Sequence, residues 1–147
     1  MKFTCTIEID RPIEEVVTLW KDESNYEHWQ EGFQSKELLS GEKGQVGAKS
    51  KILLSSKNQK MELIETIEIN NLPEEHKVYV EHIHMCNYMT TKFISLSEKQ
   101  TMYSTTVEYT QFNGFMPKLM AKLFPSMFRK QVQKWLDQFK GFAEKND

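Results

Sequence analysis

With 147 residues, 39% of them hydrophobic and 27% charged, the chain has the length of one domain spanning 1–147. A chain of this size buries a core without needing a metal or a disulfide staple. A formal net charge of −2 argues against a dedicated nucleic-acid binder, whose phosphate contacts need a basic surface.

No apolar run approaches the length of a membrane span, and Met1–Thr6 lacks the apolar segment of a signal peptide. A cytoplasmic protein without stable membrane insertion is therefore expected. Cys5 and Cys86 lie far apart in alternating apolar segments, as expected of reduced, partly buried thiols.

In chain order, Phe3–Ile9 alternates with the period of a half-buried strand, placing Phe3, Cys5, Ile7 and Ile9 on one face. Asp10 is placed to cap a following helix and Pro12 suits its first turn; Ile13, Val16, Val17 and Trp20 give that helix an apolar stripe. A second short helix in Asp22–Trp29 brings Tyr26 and Trp29 to one face.

From Phe33 the period changes to two. Strands are expected at about 33–39, 47–54, 60–69, 77–85, 88–97 and 100–112. The joins carry turn chemistry: Gly41 with Gly44, Ser56-Lys57-Asn58, Asn70 to Glu74, Cys86-Asn87 and Glu98-Lys99. Links this short exclude parallel crossovers, so consecutive strands are antiparallel neighbours.

Gly114 ends the last strand, and Pro117 suits the first residue of a helix running to about Phe142. Its stripe includes Met120, Phe124, Phe128, Val132, Leu136 and Phe139. Pro125 either kinks this helix or separates a short helix from a long one. The expected architecture is α+β: a seven-stranded antiparallel sheet whose apolar face curls around the terminal helix, leaving a cavity between them.

Three segments and their order carry a resemblance. They are Ile7-Glu8-Ile9-Asp10-Arg11-Pro12-Ile13-Glu14-Glu15-Val16, the aromatic stretch from Trp20 to Tyr26-Glu27-His28-Trp29, and the turn Gly41-Glu42-Lys43-Gly44-Gln45-Val46-Gly47. Followed by a long C-terminal helix, they resemble the START-like superfamily with the helix-grip (START/Bet v 1-like) fold, also called SRPBCC. The likeness is specifically to its polyketide cyclase/dehydrase and lipid-transport-like branch. The resemblance covers essentially the whole chain and implies a hydrophobic pocket. It does not imply one activity, because the superfamily includes lipid carriers, hormone receptors, aromatase/cyclases and co-chaperone domains.

Gly41, Gly44 and Gly47 match neither a Rossmann nor a Walker loop and read as turn glycines, or as a loop at a ligand entrance. His82 and His84 share parity on the expected strand 77–85 and enter the cavity if Val78 and Val80 point inward; otherwise Glu81 does. No third ligand stands at a diagnostic spacing, so no metal is assigned. No cofactor is assigned either.

Glu65 shares parity with Met61, Leu63, Ile67 and Ile69. A carboxylate there needs a partner if buried; it is a candidate general base or a partner for a polar ligand group, unless it stands in water at the mouth. On the last strand, Tyr103, Thr105, Val107 and Tyr109 form the better inner face, and their two hydroxyls suit a wall that orients a greasy ligand.

No nucleophile elbow or catalytic triad is recognisable. The candidate ligand-binding residues are Glu65, His82, His84, Tyr103, Tyr109, Met120, Phe124 and Phe128. The expected partner is a small hydrophobic molecule (lipid-like, isoprenoid-like or aromatic), held by a monomer or weak homodimer. Two other readings compete with the carrier: a cyclase/dehydratase-like enzyme using Glu65 and the tyrosines, and a protein-interaction domain using Arg129, Lys130, Lys134 and Asp137.

Overall fold

The computed structural model describes residues 1–145. The elements are β1 (Lys2–Ile9), α1 (Ile13–Lys21), a 3-10 turn (Glu23–Asn25), α2 (Tyr26–Trp29), β2 (Phe33–Ser40), β3 (Lys49–Ser56), β4 (Gln59–Asn71), β5 (Glu75–Glu81), β6 (Met85–Ser97), β7 (Gln100–Phe112), α3 (Phe115–Leu123) and α4 (Pro125–Lys145). The seven strands form one antiparallel sheet in the order β1-β7-β6-β5-β4-β3-β2, so the first strand closes against the last.

Alternation decides the faces. Cys5, Ile9, Thr101, Tyr103, Thr105 and Val107 are buried under the helices, as are Thr91 and Phe93 in the neighbouring strand. The inner face of the last strand is therefore the tyrosine-bearing one. On α4, Val132, Leu136, Phe139 and Ala143 recur at helical spacing and all are buried. They meet Trp29, Phe93 and Tyr103 in one core with Cys5 and Ile9.

α4 runs chiefly along the edge strand β1. It covers that edge with side chains: the Arg129 guanidinium and the Gln133 amide donate to the carbonyls of Thr4 and Thr6, and Lys140 to that of Glu8. An edge strand otherwise presents a row of unpaired backbone groups to other chains.

Four details differ from the sequence expectation. Asp10 does not cap α1; its carboxylate accepts from Gln100, while its own amide donates to Glu144. Pro12 stands at the cap instead, without a side-chain hydrogen bond. Pro117 is not the first residue of a helix, since α3 begins at Phe115 after Gly114, whose φ is +90°. Pro125, by contrast, does what one of its two expected readings had it do: it separates a short helix from a long one that begins at that proline.

The fourth difference concerns the hairpin at the end of β5. His82 and Met85 exchange backbone hydrogen bonds of 2.9 and 3.2 Å, so Ile83 and His84 are the two residues of the turn. The strand expected to reach Met85 stops at Glu81, and Cys86, expected in the turn, is a buried residue of β6. Apolar–polar alternation simply continues through this turn, and no glycine, proline or aspartate marks it.

Candidate functional site

The register carries one row of side chains across the concave face. Glu65 of β4 stands opposite Val80 of β5, Val80 opposite Asn87 of β6, and Asn87 opposite Tyr109 of β7. Residues directly opposite share a face, and three strand spacings make the row about 14 Å long. Val78 and Val80 face inward, which puts Tyr79 and Glu81 outside, where Tyr79 packs tilted against Tyr88, 4.8 Å between ring centres.

At one end of the row Glu65 has the partner its position demands. Lys36 Nζ lies 3.3 Å from its carboxylate and 3.6 Å from that of Glu23. The Lys36 and Glu65 side chains are 14% and 18% exposed. The ammonium also sits 5.7 Å from the centre of the Tyr26 ring. Burial, reinforced by the charges of Glu65 and Glu23, pushes the Tyr26 hydroxyl far above its ordinary range.

His76, on the same inner face, packs edge-on against Trp20 at 5.2 Å. Burial lowers its pKa; Glu65 pulls it back up and Lys36 pushes it down. β2 brings Lys36, β4 Glu65, the 3-10 turn Glu23 and β5 His76, so four elements build this polar corner.

At the other end, Tyr109 packs on Phe112 and Phe128 at 5.2 Å each, and burial pushes its hydroxyl up to about 12. Phe128 lines a hollow of about 360 Å³ together with His84, Met85, Met116, Pro117, Met120 and Met127. Every wall but the imidazole is apolar, and methionine adapts its shape to varied ligands. A second hollow, of about 490 Å³, lies between α2 and α4, with Trp29, Gln138 and Phe142 in its walls.

The expected site residues thus divide. His84, Met120 and Phe128 come together at the methionine hollow with Tyr109 behind them. Glu65 is at the far end of the row. Tyr103 is core: fully buried, its hydroxyl accepts from the Trp20 indole at 3.1 Å, and burial raises its pKa. Phe124 is exposed outside the hollow.

The expectation that His82 and His84 project from a strand face is corrected, because both belong to the hairpin end. His82 Nδ1 accepts from the His84 amide, 3.2 Å away. Among the described residues no three His, Cys, Asp or Glu side chains gather as a metal site. Of the proposed interaction face, Arg129 is engaged with β1 and Lys134 pairs with Glu31 at 3.0 Å.

Lys36, Glu23 and His76 were not among the sequence candidates, and Tyr26 was expected only as part of an aromatic helix face. Lys36 alone left a signal: it shares parity with Leu38 in a strand, as Glu65 shares parity with its apolar neighbours.

No protein-family model matches the chain, and no curated protein is significantly similar to it in sequence. Solved structures match it over nearly its whole length. The chain is similar to TTHA0849 from Thermus thermophilus at 18% identity and a TM-score of 0.76, covering 97% of each chain. It is similar to the Zhui aromatase/cyclase from Streptomyces sp. R1128 at 11% identity and a TM-score of 0.80, covering 98% of this chain and 93% of that one. A START superfamily protein from Mycobacterium smegmatis matches at 12% identity and a TM-score of 0.80, over 98% and 97% of the two chains. At such identities the likeness is one of fold, and that fold is the START-like helix grip.

Proposed function

We propose that this START-like chain binds a small, mostly apolar molecule non-covalently on its concave face. The molecule's body lies along Leu63, Val80 and Met89 and reaches toward the methionine hollow. Its one polar end is held at Lys36 and Glu65.

The observation that carries this reading is the change in burial across one face. Under α1 and α4 the inner residues of β1 and β7 are buried, whereas Leu63, Glu65, Val80, Asn87 and Met89 remain half-buried. Covering such apolar surface is worth roughly 25 cal/mol per Å². A desolvated ion pair beside it supplies the directional group that fixes orientation in a mostly apolar site. Similarity to an aromatase/cyclase fold supports a ring-bearing or chain-folding ligand within the lipid-like, isoprenoid-like and aromatic range.

The test is native mass spectrometry of freshly purified protein against its denatured mass, followed by organic extraction. A reproducible bound mass is expected, and Val80→Phe, which fills the middle of the row, lowers its occupancy without unfolding the chain. Folded wild-type protein without any bound mass, or occupancy indifferent to Val80→Phe, overturns the reading. Glu65→Gln separates a carrier from an enzyme. In a carrier the extracted molecule is the same in both proteins; in an enzyme the variant retains a molecule that the wild type converts.

A further inference from the structure

The end of the molecule formed by α3, the start of α4 and the β5–β6 turn, around the rim of the methionine hollow, exposes large apolar side chains that the core does not use. Phe115 is 77% exposed, Ile83 75%, Met116 59% and Leu123 56%; Phe124 and Met127 are also exposed. The two parts of this surface are held together: the Asn113 amide donates to the His84 carbonyl at 2.8 Å, and its side chain donates to the Ile83 carbonyl at 3.2 Å. Ile83 therefore sits beside the root of α3. Exposed large apolar residues scattered singly are ordinary, but a contiguous group at one end of a molecule marks an interaction site.

The charges around this group select its partner. Between Glu108 and Asp137 the chain contains no acidic residue, yet it carries Lys118, Lys122, Arg129, Lys130 and Lys134. Arg129 and Lys134 are occupied within the fold, whereas among the described residues Lys118, Lys122 and Lys130 pair with no carboxylate. The whole chain is slightly acidic, so this positive segment is local and not a reflection of overall composition. Apolar side chains that project from α3, the first turn of α4 and the β5–β6 turn, flanked by unpaired lysines, match the interface of an anionic bilayer: the rings and thioethers enter the acyl boundary and the lysines stay at the headgroups.

We infer that α3, the first turns of α4 and the Ile83–His84 turn form a docking surface for an anionic lipid bilayer. It is peripheral attachment, since among the described residues no helix is long and apolar enough to cross a membrane. The methionine hollow opens between the same elements, so docking brings its mouth to the bilayer. The docking inference stands on the exposed residues and does not require the ligand reading.

The experiment is co-sedimentation of the full chain with phosphatidylcholine vesicles, with and without phosphatidylserine, at low and physiological salt. Binding is expected only with phosphatidylserine and falls as salt rises. Lys118→Glu with Lys122→Glu weakens it at least about tenfold, from roughly 1 kcal/mol for each lysine lost at the surface. Phe115→Ser with Met116→Ser weakens it comparably. All four positions are outside the core, so unchanged circular dichroism and melting temperature verify that the variants fold.

Absence of binding to phosphatidylserine vesicles at low salt overturns the inference, and so does binding that survives either pair of substitutions. A wild-type dimer in sedimentation velocity that dissociates on Phe115→Ser also overturns it, because a second copy then covers the surface. The bound-mass measurement is made without vesicles, so failure of the ligand reading is seen separately.

Discussion

Lys36 and Glu65, twenty-nine positions apart in the chain, meet at 3.3 Å on the concave face, where Glu23 shares the same ammonium. One cation therefore holds two largely desolvated carboxylates. Lys36→Met leaves Glu65 near Glu23 without a counter-charge of its own, Glu23 keeping only the exposed Lys43 at 3.8 Å, and is expected to cost about 1–3 kcal/mol of stability. Glu65→Gln costs less, since Lys36 keeps Glu23. Lys36→Met combined with Glu65→Gln recovers part of the single-variant loss, and urea denaturation of the wild type, both single variants and the double reads the coupling.

His76 sets a pH dependence near neutrality. Burial, partly offset by Glu65 and reinforced by Lys36, depresses its folded-state pKa below the ordinary value of 6.5. The unfolded chain then binds the proton more readily than the folded one, so stability rises with pH through this window. The contribution is complete above 6.5 and is lost as pH falls through the depressed folded value. His76→Phe keeps the edge contact with Trp20 and removes the titration. Its urea midpoint is expected to change less than the wild type's between pH 7.5 and 5.5, both set in the experiment as ~1 unit either side of the ordinary histidine range.

Phe139 is fully buried and packs edge-on against Trp29 at 4.9 Å and Tyr103 at 5.4 Å. Phe139→Ala removes the ring that joins α4 to both α2 and the sheet, and is expected to cost about 3–5 kcal/mol. Phe139→Leu retains much of the volume and costs less. Chemical denaturation ranks the two, and a cost for alanine under about 1 kcal/mol would show that α4 is not anchored there.

Two glycines with similar backbone angles are expected to respond differently to alanine. Gly32 (φ +79°) and Gly44 (φ +78°) both occupy the left-handed region. A Cβ at Gly32 would fall 2.0 Å from the Ser55 carbonyl oxygen, whereas one at Gly44 meets nothing within 4 Å. Gly44→Ala bears only the conformational cost of about 1–2 kcal/mol. Gly32→Ala must also displace the β2–β3 backbone, whose Ser55 amide donates to the Gly32 carbonyl at 2.7 Å. Its melting temperature should fall well below that of Gly44→Ala.

Much of the fold is legible in local pattern. Period-two alternation located every strand, the Ser56-Lys57-Asn58 turn is confirmed by positive φ at Lys57 and Asn58, and Pro125 marks the boundary of the long helix. These features depend on neighbours within a few residues, where side-chain spacing and backbone sterics act directly. Alternation failed at Ile83 and His84 because a period of two continues unchanged through a tight turn that no special residue announces.

Glu65 stood out in the sequence because one carboxylate interrupts an apolar parity; Lys36 did not, since a lysine on a strand is ordinary unless its surroundings exclude water. Their encounter, the row from Glu65 to Tyr109, and the exposure of Phe115 beside Ile83 all depend on strand order, register and the placement of α4 along β1. Composition and periodicity determined which residues form strands and helices, and which faces are apolar. Tertiary structure decided which of those faces close into a core and which remain open for a partner, because burial is a property of packed elements and not of any one segment.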